Sequence, residues 1–304
     1  MEELLLRVEA PEGRLDRYIA DRLPQFSRSL VQRLIASGRV LVNGAPTKAS
    51  YCPLPGDVIQ IRVPEQTPQE PVAERMPLQI LFEDADMLVV NKPAGIVVHP
   101  SPGHPKGTLV NALLAHRPDL VRADLDPQRP GIVHRLDRDT SGVLVVATNR
   151  EAQAALQAQF KAHQVQKTYL ALLYGHLTPP EGAIEAPLER DPEHRQRMRV
   201  APEGGRYART EYCVREVFPG CTLVEARPLT GRTHQLRVHF RAIHHPVVGD
   251  RVYGYRRGAI ASPRQFLHAW KLALTHPTTG AHLEFTAELP EDLAAVLQML
   301  RAQR

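Results

Sequence analysis

A chain of 304 residues that is 43% hydrophobic and 23% charged has room for two domains and is too apolar for a disordered or fibrous protein. Its formal charge of +5 suits a polyanionic partner, and its three cysteines form no CxxC pair, which argues against a zinc site or a disulfide framework. The start, MEELLLRVEAPEG, carries acid where a signal peptide carries base, and no apolar run reaches membrane-spanning length, so a reducing cytoplasm and no membrane partner are expected.

Arginine supplies nearly all the positive charge, since lysine stands only at Lys48, Lys92, Lys106, Lys161, Lys167 and Lys271. Arginine forks suit phosphates and stack on bases, although a genome favouring arginine codons produces the same bias. The first sixty residues read as two helices beside a small hairpin sheet. Leu15, Tyr18, Ile19 and Leu23 recur at helical spacing up to Pro24, and a second helix opens at Ser27, follows Leu30, Val31, Leu34 and Ile35, and stops at Gly38. RVLVNGAP is then a strand running into an Asn-Gly hairpin turn, and PGDVIQIRV a turn and a further strand. Arg14, Arg17, Arg28, Arg33 and Arg39 interleave with the apolar positions, so one face of the helix pair is expected to be basic.

Residues 64–77, PEQTPQEPVAERMP, lack apolar periodicity and read as an extended linker between a first unit, 1–63, and a second, 78–304. In the second unit LQILFEDADMLVVNKP reads as two strands around an acidic turn. GVLVVAT, KTYLALLYG, CTLVEARPL and AHLEFTAEL read as further strands, and helices are expected near 107–116, 150–164, 233–243 and 291–303. Thr148 to Glu151 has the form of a capping box, and Thr233 is the expected N-cap of the third of these helices, with Leu236, Phe240 and Ile243 on its buried face.

The most informative segment is GIVHRLDRDTSGVLVVA, 131–147, a charge-dense turn held between apolar Ile132-Val133 and a strand. Asp137 lies between Arg135 and Arg138, and an arginine within reach favours an ionised carboxylate, fit for a nucleophile or base; the residues alone point sooner to a structural ion pair, since such networks are common. The segment NKPAGIVVHPSPGH offers Lys92 in a turn. KTYLALLYG puts Lys167 and Tyr169 on one strand face, and PLTGRTHQLRVHF is a turn leading into a helix. No HExxH occurs, and His234 and His239 are badly spaced for one helical face, so no metal is expected.

These runs carry a specific resemblance. RLDRYIADRLPQFSRSLVQRLIASGRVLVNG with GDVIQI resembles the S4 RNA-binding domain, and HRLDRDTSGVLVVA resembles the defining motif of the RluA family of pseudouridine synthases. The resemblance implies an α+β fold: a catalytic domain on a mixed, largely antiparallel sheet flanked by helices, behind a small S4 domain. It implies isomerisation of uridine in RNA without a cofactor. Asp137 falls on the catalytic aspartate, Tyr169 on the active-site tyrosine and Arg232 on the arginine that pairs with the aspartate. Arg135, Lys92, Lys167, His134 and Thr140 are the expected substrate-binding residues, and His268 and His276, in HAWKLALTHP, are expected to be structural.

Motif order resembles the branch acting on the large ribosomal subunit, so 23S rRNA is the expected substrate and a monomer the default state. One departure is the arginine-rich segment 190–209, read either as a loop closing on RNA through Arg195, Arg197 and Arg199 or as an exposed hairpin. Two rival readings are a non-catalytic ribosome-assembly factor, against which Asp137, Tyr169 and Arg232 stand, and a nucleoside or RNA hydrolase, which would release uracil or break the chain.

Overall fold

A computed structural model describes residues 2–10, 13–23, 26–63, 70–101, 104–121, 125–194, 197–255 and 260–303. The chain divides into two units, Met1–Gln69 and Glu70–Arg304. In the first, β1 (Glu2–Arg7) precedes two helices, α1 (Leu15–Arg22) and α2 (Arg28–Ala36), and then come β2 (Val40–Val42), β3 (Ala45–Pro46) and β4 (Val58–Val63). The sheet order is β1-β4-β2-β3, antiparallel throughout.

Local chemistry explains the boundaries. Ser27 Oγ accepts from Leu30 N at the start of α2. At its end Gly38, φ +68°, lets its own N–H reach Ile35 O and that of Arg39 reach Leu34 O, the paired bonds of a Schellman close. Asn43 and Gly44 both take positive φ, 52° and 79°, as a type I′ hairpin demands. The apolar positions of both helices meet Val40, Ile59 and Ile61 in one core. Strand β1 was not expected; its alternating Leu4 and Leu6 pack on that core while pairing with β4 supplies its backbone partners. Pro24, the expected helix stop, lies outside the described residues.

Of the expected linker, residues 64–69 lie outside the described residues, and 70–77 form neither helix nor strand. That second half is fastened to its own unit: Asn111 Nδ2 donates to Val72 O at 2.7 Å, and Glu74 accepts from Gly107 N at 3.2 Å.

The second unit runs β5 (Gln79–Glu83), β6 (Met87–Lys92), α3 (Leu109–His116), β7 (Ser141–Ala147), α4 (Arg150–Lys161), β8 (Gln166–Tyr174), β9 (Glu181–Glu185), β10 (Leu188–Arg190), β11 (Met198–Val200), β12 (Arg209–Phe218), β13 (Cys221–Pro228), α5 (Gln235–Ala242), β14 (Leu267–Thr275), β15 (His282–Thr286) and α6 (Glu291–Arg301). Its large sheet has the order β5-β6-β7-β14-β8-β13-β12-β9, with β15 on β14. Every pairing is antiparallel except β7 with β14, which gives the mixed, largely antiparallel α+β architecture expected.

Strand β7 is buried along its whole length because both faces are covered. Val143 and Val145 face Ala152 and Leu156 of α4; Leu144 and Val146 face Leu109 and Leu113 of α3. Gly142, at φ +120°, is required where β14 crosses, since a Cβ there would strike the Ala269 carbonyl. The cap of α4 is Asn149, accepting from Ala152 N, and not the expected Thr148, whose hydroxyl donates to Ala85 O. The arginine-rich segment contains the ribbon β10–β11, anchored by Ala201 N to Pro187 O at 2.8 Å and Met198 N to the Tyr253 hydroxyl at 2.8 Å. Arg195 lies outside the described residues.

Candidate active site

The loop from Gly131 to Thr140 delivers Asp137 to the mouth of β7, and it is tied down from several sides. Leu136 plugs into the core beside α3. Lys92 is fully buried, and its Nζ donates to the carbonyls of Pro93, Ile96 and Arg138 at 2.8, 2.9 and 3.1 Å. Arg264 donates to Asp139 O, and Gln265 to Thr140 Oγ1. Lys92 was expected to bind substrate; its three donors are instead consumed inside the protein, where they weld the Asn91–Ile96 turn to the Asp137 loop. Burial pulls its ammonium down to about 7, against the opposing pull of the Asp137 and Asp139 carboxylates.

A cavity of about 500 Å3 opens in front of Asp137, within the range of small-molecule and nucleotide sites. Its lining includes Arg135, Asp137, Lys167, Tyr169, His234 and Arg237. Asp137 is one-fifth exposed, and its two oxygens are inequivalent: Oδ2 accepts from Arg237 Nη1 at 3.0 Å, while Oδ1 makes no hydrogen bond among the described residues and has His234 Nε2 at 3.9 Å. Arg237 is held in turn by a two-pronged pair with buried Asp250, Nε to Oδ2 at 2.6 Å and Nη2 to Oδ1 at 2.9 Å. Burial opposes the charge on Arg237, but the Asp250 and Asp137 carboxylates outweigh it and raise its pKa; Asp250 is lowered because Arg237 and the amides of Tyr253 and Val252 overcome its own burial.

This corrects the expected pairing. Arg232 precedes the helix and turns away, its Nε donating to Tyr207 O at 2.9 Å, though it lines the cavity rim. The helix start explains why: the N-cap of α5 is His234, not Thr233, with left-handed φ of 56° and no side-chain cap. His234 and Arg237, three apart, therefore share a face. A left-handed non-glycine residue costs about 1–2 kcal/mol, strain that the surroundings must hold. Buried Gln235 holds this turn, its Oε1 accepting from Thr230 Oγ1 and Arg232 N and its Nε2 donating to Arg209 O.

Tyr169 and Lys167 both line the cavity from one face of β8, as their spacing implied. Burial, then the charge on Asp137, pushes the Tyr169 phenol upward, so it is a neutral O–H donor and ring surface. Burial brings the Lys167 ammonium down to about 8, and its Nζ donates to Thr230 O at 3.3 Å. His134 stacks on Phe160 at 4.6 Å and accepts from Val145 N; burial takes it down to about 3, so it is a neutral wall residue. Thr140 is buried, with its hydroxyl engaged by Gln265. Arg135 is exposed at the cavity, with no side-chain hydrogen bond or ion pair among the described residues. His268 bonds Ser141 and Ala287 O, and His276 bonds Asp84, both structural links. Among the described residues no group of three His, Cys, Asp or Glu is placed to hold a metal.

In the first unit all five expected arginines are exposed. Arg14 and Arg28 converge on buried Asp16 at 3.1 and 2.9 Å, and Arg17 pairs with Asp21 at 3.5 Å. Burial alone would raise Asp16, but hydrogen bonds from Arg14, Gln32 and Arg28 hold it well below the usual range. The carboxylate thus fixes the position of two of the five cations.

Sequence reasoning missed Arg237, His234, Asp250 and Tyr253 as site residues. Arg237 lay within PLTGRTHQLRVHF but nothing in its spacing set it apart from Arg232; Asp250 and Tyr253 reach the site only by tertiary folding.

A mixed sheet presenting a carboxylate, a neutral phenol and arginines in a nucleotide-sized cavity, in a chain that begins with a separate two-helix unit, suits an enzyme acting on a nucleotide substrate. The RNA pseudouridylate synthase family model matches residues 86–242 and the S4 domain model residues 13–59. An uncharacterized RNA pseudouridine synthase of Chloroflexus aurantiacus is 53% identical over 95% of this chain and 90% of its own length. The ribosomal large subunit pseudouridine synthase D of Nitrosomonas europaea is 45% identical over 95% of this chain and 84% of its own. Human RNA pseudouridylate synthase domain containing 1 superposes with a TM-score of 0.56 at 31% identity, over 74% of this chain and 95% of that one. The chain belongs to the RNA pseudouridylate synthase family. It is accordingly an isomerase that acts on uridine in RNA.

Proposed function

We propose that the protein isomerises specific uridines of 23S rRNA in the large ribosomal subunit, with Asp137 as the carboxylate that acts on the ribose. The observation that carries the reading is the asymmetry of Asp137. One oxygen is fixed by Arg237, while the other faces a cavity of nucleotide size unbonded. A carboxylate held in this way keeps one lone pair aimed at a bound substrate with little reorganisation.

A uridine inside folded RNA must leave its stack before it can enter, at a cost of a few kcal/mol. Asp137 Oδ1 then acts on the sugar, as nucleophile at C1′ or as base at C2′; either use needs the same open oxygen. The C1′–N1 bond breaks, uracil turns within the cavity, C5 bonds to C1′, the C5 proton leaves and N1 gains one. No electrons pass to another molecule, so the reaction needs no cofactor. Tyr169, a neutral phenol, serves as stacking surface and O–H donor to the turning ring, so removal of the C5 proton by it would require relay of its own proton. Arg135, Lys167 and Arg232 supply positive charge at the rim for phosphates.

The S4 face, Arg14, Arg17, Arg28, Arg33 and Arg39, supplies sequence-independent attraction for structured RNA, with domain limits of 1–63 and 78–304. The setting is the cytoplasm and the working unit a monomer. The test is tritium release from C5-labelled 23S rRNA, offered naked and as large subunits. Release without free uracil is expected from the wild type, and Asp137→Asn should bind RNA yet release nothing. Product formation by that variant would remove Asp137 from its role, and release only from tRNA would move the substrate.

A further inference from the structure

The open oxygen of Asp137 has a neighbour in the His234 imidazole. Tyr253 is the key. Its hydroxyl oxygen accepts the Met198 backbone N–H at 2.8 Å and lies 2.8 Å from His234 Nδ1, the one acceptor within reach of its proton among the described residues, so both groups are satisfied when the hydroxyl donates to that nitrogen. Burial keeps the His234 imidazole below its ordinary pKa, among the charges of Asp137, Arg237, Asp250 and Arg135. A neutral ring that accepts at Nδ1 carries its hydrogen on Nε2. His234 lines the cavity, and its Nε2 lies there beside Asp137.

Nε2 and Asp137 Oδ1 are 3.9 Å apart, too far for a direct hydrogen bond, yet one oxygen bonded at about 2.8 Å to both would subtend about 90°. That oxygen must accept from the histidine and donate to the carboxylate. A uracil carbonyl can only accept, and a phosphate oxygen brings negative charge against Asp137. A hydroxyl does both. Within a target nucleotide the 2′-hydroxyl sits on C2′, next to C1′, the two carbons that Asp137 must reach. We propose that His234 Nε2–H and Asp137 Oδ1 form a receptor for the ribose 2′-hydroxyl of the flipped nucleotide, with Tyr253 as the positioning residue that fixes the histidine tautomer. The inference rests on the uridine-isomerising reading above. It makes His234 a substrate contact and makes the site select ribose over deoxyribose at the reacting nucleotide.

The test uses the full-length protein and rRNA fragments in which one mapped target uridine carries ribose, 2′-fluororibose or 2′-deoxyribose. The wild type should lose about 10–100-fold in turnover on either analogue, as for a charge-assisted hydrogen bond. His234→Ala should be slower on the all-ribose RNA and lose most of that preference, within about threefold, whereas His234→Gln should restore part of it. Any intrinsic effect of the 2′ group on the chemistry is common to all proteins and cancels in the comparison. Tyr253→Phe keeps the ring beneath Arg237 and should shrink the preference without the loss of fold that His234→Ala risks. A preference equal in wild type, His234→Ala and Tyr253→Phe, or absent from the wild type, would overturn the receptor. Failure to turn over the all-ribose RNA would instead sink the functional reading, and the receptor with it.

Discussion

Replacing Arg237 by Met separates the structural site from the one its sequence suggests. The guanidinium is 6% exposed and Asp250 is fully buried, so its removal strands a carboxylate whose two best partners were Arg237 Nε and Nη2. Breaking a buried pair on one side typically costs about 3–5 kcal/mol. At about 2–4 °C per kcal/mol for a unit of this size, the melting temperature should fall by about 6–20 °C. Turnover should drop by a further 10–100-fold or so at temperatures where the variant is folded, because Asp137 Oδ2 loses its charge-assisted bond. The companion variant Arg237→Met/Asp250→Asn removes the stranded charge while keeping an acceptor for the Val252 and Tyr253 amides. It should recover most of the stability and none of the turnover. Arg232→Ala, which loses one bond to a carbonyl at the rim, should melt like the wild type and stay within about tenfold in turnover. Calorimetry and tritium release on the four proteins decide the matter. Were Arg237→Met as stable and active as wild type, or Arg232→Ala the more damaged, the geometry argued here would be wrong.

Two further outcomes follow from neighbouring residues. Burial brings Lys167 down to about 8, so it is a cation below that pH and neutral above it. KM for RNA should therefore rise, by about fivefold, between pH 7 and 9; a profile that Lys167→Gln leaves unchanged would assign the rise elsewhere. Gly142→Ala would force a Cβ into the Ala269 backbone where β7 and β14 pair. Overpacking together with a strained φ should cost about 2–5 kcal/mol, read as a lower urea midpoint, and an unchanged midpoint would mean that β14 can draw back.

Much of the fold was legible where periodicity and turn chemistry act within a few residues. The Ser27 cap, the Gly38 close, the Asn43-Gly44 turn and the strands at β5 to β8 all formed where expected, because each is decided by its own backbone. Strand β14 was read only through HAWKLALTHP, whose two histidines were expected to be structural, yet it is the strand joining β7 to β8. Strand β12, with its polar outward residues, and the edge strand β1 draw their stability from partners distant in sequence, and local pattern is silent about those. Two caps were misplaced by one residue: at α4 a hydroxyl, Thr148, and an amide, Asn149, compete for one role, and at α5 left-handed His234 takes the position of Thr233 with no side-chain cap at all.

That second error matters most for the chemistry. Sequence by itself identified the family, through the resemblance of HRLDRDTSGVLVVA, and a two-unit organisation, while the residues around Asp137 taken alone left a structural ion pair open. It also selected Tyr169 and Lys167, because a strand alternates faces whatever surrounds it. Tertiary structure alone decided which arginine meets Asp137, since the course of the turn around left-handed His234 sends Arg232 to the Tyr207 carbonyl and leaves Arg237, on the helix, to the carboxylate. It likewise turned Lys92 inward onto three carbonyls and brought Asp250 and Tyr253 beneath the site. Such pairings depend on where two distant segments of chain come to rest, and no spacing within either segment encodes that.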